Sequence, residues 1–335
     1  MKIYSFIFLL ICLSMSVKGK EPLNRYSLRG FAQGTDYSIV YYHPKELIKT
    51  AEIAAILNAV DSSLSIYNPH SSLVKFNKMG LGSMEVDTHF QQVFLASQHY
   101  YNLTGGLFDI TIAPLIQAWG FGPKRIKVLP TQQDINAILP AVGLYQVKLH
   151  GKHLQKENAA TQLDVNGIAQ GYSVDLIADY LASKGISSFI VELGGEMRIQ
   201  GVKPKREKFT VAMERPVHGE HGVELKESLL YLRKGAMTTA GNLEKYYFSE
   251  GQKVTHHINP KTGYTFVTPI ISATVYANTA MEADALDNYM MSLSPQEAIK
   301  FANKRKNFEV YIVYKDSLGA FQELQSKGFH KFFKK

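Results

Sequence analysis

The chain of 335 residues has a single cysteine, Cys12, and that residue lies inside an apolar N-terminal run. A disulfide framework and a thiolate-bound zinc or iron–sulfur centre are therefore excluded, and so is a cysteine nucleophile. Long hydrophobic runs are also missing: the longest, from Ile3 to Leu13, falls short of the roughly 20 apolar residues that a membrane-spanning helix needs. No GxGxxG fingerprint, no GK[ST] phosphate loop, no HExxH and no Gly-x-Ser-x-Gly element occurs, which removes the usual dinucleotide, P-loop, zinc-protease and serine-hydrolase signatures. Internal repeats, Pro- or Ser-rich linkers and low-complexity tracts are absent too, so residues 20–335 read as one large domain. An apolar content of 45% with 20% charged residues is that of an ordinary folded protein.

The sequence does have an N-terminal export pattern: Lys2, the short apolar run, then the small or polar Ser14, Ser16 and Gly19. Residues 1–19 are expected to be a signal peptide and the mature protein to be periplasmic, with a lipoprotein anchored through Cys12 as the alternative. The formal charge is +8, and loss of Lys2 and Lys18 with the leader leaves 35 basic against 29 acidic residues, a net +6 that favours anions. Nucleic acid is not the expected partner, because the basic tail has few aromatics beyond Phe329, Phe332 and Phe333 and export takes the chain away from nucleic acid.

Along the mature chain, residues 37–42 read as a strand, and from about residue 45 the spacing of Ile53, Ile56, Leu57, Val60 and Leu64 is helical. A second helix starts at Asp87 or Thr88 and stops at Gly105-Gly106. A third runs over 171–183 and ends at Gly185, and residues 189–193 follow as a buried strand. Thr279 with Glu282, and Ser294 with Glu297 and Pro295, have the spacing of capping boxes that open two more helices. A polar stretch around His218–Glu227 reads as a loop.

Four places offer chemistry. Asp284 and Asn288 lie one turn apart on one helix face, as two oxygen donors for a hard cation or as a dipole-placed acid beside a solvated amide. Asp164-Val165-Asn166-Gly167-Ile168-Ala169-Gln170-Gly171 leads into a helix whose first N–H groups could hold phosphate, unless it is a plain tight turn. Thr238-Thr239-Ala240-Gly241 reads as ligand contacts or as a turn. His256-His257 precedes the turn Asn259-Pro260-Lys261-Thr262-Gly263, where an imidazole can serve as a base near neutral pH.

Taken in order, these elements resemble the ApbE family of FAD:protein FMN transferases over nearly the whole mature chain. The matching blocks are Gln33-Gly34-Thr35, Ser65-Ile66-Tyr67-Asn68-Pro69, Gly106-Leu107-Phe108-Asp109-Ile110-Thr111, Trp119-Gly120-Phe121-Gly122, Asp164 to Tyr172 with Asp175, Glu192-Leu193-Gly194-Gly195-Glu196, Thr238 to Gly241, His256 to Gly263 and Thr279 to Leu286. The resemblance implies an α+β, T-fold-like catalytic domain. It also implies a Mg2+-dependent transfer of FMN from FAD to a Thr or Ser hydroxyl of an exported or membrane flavoprotein, with a phosphoester made and AMP released. The implied metal ligands are Asp284, Asn288 and the backbone carbonyl of Gly167, which leaves Asp284 as the only anionic side chain of that set. The implied flavin site takes Gln33, Tyr67, Leu107, Phe108, Asp109, Asp164, Gln170 and Ile258, and His256 corresponds to the base for the target hydroxyl.

Four positions depart from the family pattern: Gln33 replaces a methionine, Gln170 a lysine, Ala240 a serine and Asn288 a threonine. Asn288 keeps a carbonyl oxygen for a cation, whereas Gln170 gives up a positive charge. His257 also replaces a residue that is usually apolar. The alternatives to transfer are an FAD pyrophosphatase that gives FMN and AMP, and a non-catalytic periplasmic flavin-binding protein. Implied partners are FAD and an acceptor such as a subunit of a sodium-translocating NADH:quinone reductase or an Rnf-type complex, with the protein at most peripheral to the inner membrane.

Overall fold

The computed structural model describes residues 21–123, 126, 128–219, 222–241, 246–249 and 252–333. The expected leader, residues 1–19 with Cys12, lies outside the described residues. Eight strands form the main sheet, and their order across it follows the chain: β1 (Asn24–Ala32), β2 (Thr35–His43), β3 (Phe189–Leu193), β4 (Glu196–Gln200), β5 (Lys234–Gly241), β6 (Ile270–Ala277), β7 (Glu309–Lys315) and β8 (Phe321–Gln325). Every neighbouring pair is antiparallel. With the helices below, this is the expected α+β architecture.

The five longest helices among the described residues are α1 (Thr50–Leu64), α2 (Thr88–Leu103), α3 (Ala169–Ser183), α4 (Ala280–Met291) and α5 (Pro295–Asn303). Helix α1 begins five residues later than its spacing implies, with Lys49 at the N-cap. The cause is local: His43, Pro44 and Lys45 leave β2 through a turn in which His43 Nδ1 meets the backbone of Lys45, so the first apolar residues belong to the entry segment. Asp87 caps α2 by accepting the Phe90 N–H at 3.1 Å. The reciprocal capping box forms at Ser294, whereas at Thr279 the bond recorded is the one from the Glu282 N–H to its hydroxyl, at 3.2 Å.

The sheet is covered on both faces. On one side α1 and α3 pack over Ile39, Tyr41, Phe189 and Val191, and α4 and α5 pack over Ala273, Val275, Val310 and Ile312. On the other, Ile199, Met237, Tyr276, Tyr311 and Val313 meet a long hairpin, Phe209–Gly219 with Gly222–Leu232, through Phe209, Val211, Met213, Leu230 and Leu232. Residues 218–219 and 222–227, expected as a loop, are strand in this hairpin. The apolar alternation from Phe209 to Met213 and from Leu230 to Leu232 buries one face and carries the pairing outward through the polar part.

A smaller core of Leu115, Trp119, Ile135, Val142, Val254 and Ile258 lies apart from the clusters under the sheet, and it joins residues 112–142 to the segment just before and after His256. No helix among the described residues is long and apolar enough to cross a membrane.

Candidate functional site

A cavity of about 690 Å³ opens where α3, α4, β5, the Leu107–Ile112 segment and the histidine loop converge. Its size is in the range of small-molecule and cofactor pockets. Tyr67, Leu107, Phe108, Asp109, Asp164, Gln170 and Ile258 of the expected flavin set line it, as do Gly167, Asp284, Asn288 and His256. Gln33 is not among the lining residues. Its backbone takes a positive φ of 53°, and its amide Nε2 donates to Ser173 Oγ at 2.9 Å, so the side chain is spent on α3.

The centre of the site is the contact between α3 and α4. Asp284, 3% exposed, accepts the Gly171 N–H through Oδ2 at 2.8 Å. A side chain at Gly171 would put its Cβ 2.4 Å from the Ala280 carbonyl oxygen and 2.8 Å from Asp284 Cβ, so the absence of one lets the two helices close. The helix start expected to offer free N–H groups to phosphate is therefore largely engaged: Ala169 donates to Val165 O, and Gly171 holds the carboxylate. Burial, against the help of the Gly171 N–H, pushes Asp284 up to about 7.

Asp287 belongs to none of the four places read from the sequence, although three residues on from Asp284 on a helix is the same face. It is also 3% exposed and lines the cavity, so Asp284 is not the only carboxylate there. Burial, then the charges of Asp284 and Glu196, raise Asp287 well above the ordinary carboxylate range. Asn288 Nδ2 donates to Asp287 Oδ1 at 3.0 Å, which leaves the amide oxygen as its ligating atom. A Cβ on Gly167 would lie 3.4 Å from Asn288 Nδ2, so backbone and amide are neighbours. No lysine or arginine is among the described residues lining the cavity. Buried carboxylates with carbonyl oxygens and no basic neighbour form a donor set that a hard divalent cation suits, because it restores the charge balance that burial upsets.

Residues of the expected flavin set are held by local bonds. Asp109, 7% exposed, accepts the Thr111 N–H at 2.8 Å and its hydroxyl at 2.6 Å, and Thr111 in turn accepts the Gly143 N–H at 2.7 Å. Burial still pushes Asp109 up to about 6. For an acid raised in the folded state, the native protein binds the proton more tightly, so stability falls as pH rises from the unfolded value near 4 through 6. Asp109→Asn is accordingly expected to stabilise the protein at pH 8 by up to about 2–3 kcal/mol, read from thermal melts, and the gain should vanish at pH 4. A gain of equal size at both pH values would refute the ionic origin.

Asp164 accepts the Asn166 N–H at 2.8 Å, and its own N–H donates to Ile110 O at 2.7 Å, so the two lining segments are tied together. Tyr67 stands at the rim, 68% exposed. Thr239, Ala240 and Gly241 belong to β5 and line the cavity as strand, not as a turn.

The histidine loop is carried by the small separate core. His256 and His257 have ring centroids 4.0 Å apart, and Phe121 makes a T-shaped contact with His256 at 6.2 Å between centroids. Both histidines line the cavity, and His257 is 6% exposed. The turn that follows is pinned by Trp119, whose Nε1 donates to Gly263 O at 2.7 Å, while Tyr247 donates its hydroxyl to Trp119 O at 2.9 Å. Trp119 is thus a support for the loop and does not line the cavity. Trp119→Phe should leave the Gly263 carbonyl without its donor and cost about 1–3 kcal/mol in chemical denaturation. A loss below about 0.5 kcal/mol would show that the bond is dispensable.

The sequence profile of the ApbE family matches residues 33–312. The chain belongs to the ApbE family. Among ApbE relatives, the FAD:protein FMN transferase of Vibrio cholerae is 30% identical over 322 residues, 94% of this chain and 95% of the relative. The FAD:protein FMN transferase of Escherichia coli K12 is 31% identical over 293 residues, 85% of this chain and 81% of the relative. The solved flavin transferase ApbE from Vibrio cholerae superposes with a TM-score of 0.84 at 29% identity, covering 93% of this chain and 100% of that one. The apo flavinyl transferase ApbE of Pseudomonas stutzeri gives 0.84 at 26% identity, covering 93% and 98%. The ApbE fold thus includes the sheet, α3 and α4 on which the cavity stands.

Proposed function

We propose that this chain is an FAD:protein FMN transferase, moving FMN from FAD to a Ser or Thr hydroxyl of an acceptor flavoprotein and releasing AMP. The single observation that carries this reading is that one cavity is lined by Asp284, Asn288 and Gly167 together with His256. The likeness over most of the chain to proteins named for the same activity supports it.

The oxygen donors of Asp284, Asp287, Asn288 and Gly167 would hold Mg2+, which when bound neutralises charge on the diphosphate and polarises the transferred phosphoryl group. The protein's own part is positional. Leu107, Phe108 and Ile258 supply apolar wall, and Tyr67 at the rim offers an aromatic face to an isoalloxazine ring. The imidazole of His256 accepts the proton of the target hydroxyl as that oxygen attacks the FMN phosphorus and the bond to AMP breaks. With Gln170 in place of a lysine, the diphosphate relies on the metal more than on a basic side chain.

Export by residues 1–19 would put the activity in the periplasm, where subunits of sodium-translocating NADH:quinone reductases or Rnf-type complexes are suitable acceptors. The test is incubation with FAD, Mg2+ and such an acceptor subunit, read by its intact mass. A gain equal to FMN less one water, with AMP released in equal amount, is expected. Free FMN and AMP with an unchanged acceptor mass would make the protein a pyrophosphatase, and bound FAD without AMP would make it a binding protein.

A further inference from the structure

Helix α4 has to present Asp284 at a fixed depth and rotation, and its first turn is held by a residue outside the cavity lining. Asp175, one turn after Gly171 on α3, accepts the Ala280 N–H through Oδ1 and the Met281 N–H through Oδ2, both at 2.9 Å. These are the first two N–H groups of α4, which have no partner within the helix, and Thr279 takes the third at Glu282. Asp175 is itself 7% exposed and is met by Arg198 of β4, whose Nη1 donates to Oδ1 at 2.6 Å.

Two contacts one turn apart on α3 therefore meet two positions one turn apart on α4: Asp175 opposite the start of the helix, and Gly171 opposite Asp284. Two such points fix both the distance and the rotation of α4 about its axis, which one contact would leave open. The carboxylate also lies at the positive end of the α4 dipole, so its bonds to the helix are charge-assisted.

We propose that Asp175, with Arg198 behind it, is a positioning residue for the metal-binding carboxylate, locking the first turn of α4 so that Asp284 faces the cavity in the orientation that binds the cation. This rests on the reading of Asp284 as a metal ligand. Residues that orient ligands from behind typically change metal affinity by about 10–100-fold when altered.

The experiment is calorimetric titration of the full protein with Mg2+, in the absence of FAD, for the parent and for Asp284→Ala, Asp175→Asn, Arg198→Ala and Arg198→Lys, with thermal melts alongside. Asp175→Asn keeps the shape and one acceptor but loses the second, and is expected to weaken Mg2+ binding about tenfold or more while still melting cooperatively. Arg198→Lys retains the cation and should recover most of the affinity that Arg198→Ala loses. FMN transfer by Asp175→Asn should approach the parent rate at saturating Mg2+, an increase in half-saturating concentration more than a loss of maximal rate. A purely structural role would lower the melting temperature and leave the Mg2+ affinity of the folded protein unchanged, which would overturn the proposal. Unchanged Mg2+ affinity in Asp284→Ala would instead remove the metal reading itself, so the two failures are told apart.

Discussion

Asp284→Ala is expected to abolish FMN transfer while the protein still folds. Loss of one group that stabilises transition-state charge typically lowers a rate by about 10²–10³, and on the proposed reading the same group would also bind the cation. Asp287 lies on the same helix face and remains in the variant, so residual Mg2+ binding can persist at much higher concentration. The pH dependence of stability gives an independent check. Asp284 is pushed up to about 7 by burial, so without metal its ionisation opposes folding: stability falls as pH rises from the unfolded carboxylate value towards 7, and the full cost is present at pH 8. Asp284→Asn keeps an acceptor for the Gly171 N–H and removes that cost. Metal-free Asp284→Asn should therefore melt no lower than the parent at pH 8, yet gain little at Mg2+ concentrations that saturate the parent, whereas the parent gains stability by binding it. Turnover retained in either variant at the Mg2+ concentration that suffices for the parent would take Asp284 out of the site.

His256→Asn should leave FAD affinity within a few-fold and lower transfer by about 10²–10⁴, the usual scale of general base catalysis. The neighbouring histidine sharpens the choice of control. From the sequence, His257→Asn looks harmless, but its ring is buried and packed 4.0 Å from that of His256, so removing it disturbs the histidine it is meant to be compared with. His257→Phe keeps a ring in that place and is the better control, with transfer expected within a few-fold of the parent. Loss of transfer in His257→Phe with a healthy His256→Asn would reverse the assignment. Loss of FAD binding in His256→Asn would reduce that histidine to a ligand contact.

Much of the chain's local order is legible in its residues. Apolar periodicity places α1, α2 and α3, because a helix that packs by one face must repeat its apolar residues near every third or fourth position. The same periodicity misplaces the start of α1, since the turn at His43 and Lys45 is made by a side chain that periodicity does not weigh. The stretch 218–227 reads as a loop because its polar composition hides a pairing that continues outward from the apolar Phe209, Val211, Met213, Leu230 and Leu232 of the same two strands.

Ordered motifs in the sequence alone determined the family, the two histidines and the acid–amide pair at Asp284 and Asn288. What only the tertiary structure decided is which of those groups meet. Gly171 and Asp284 are 113 residues apart, and their hydrogen bond exists because a glycine lets two helices approach more closely than any side chain would permit. Asp287 joins the site because α4 turns that face inward, and Gln33 stays out of the cavity lining with its amide bonded to Ser173 of α3. A motif records the residue types a site needs. Direction and burial come from packing between elements distant in sequence, and these decide whether a carboxylate is a solvated cap or a ligand whose charge needs a cation.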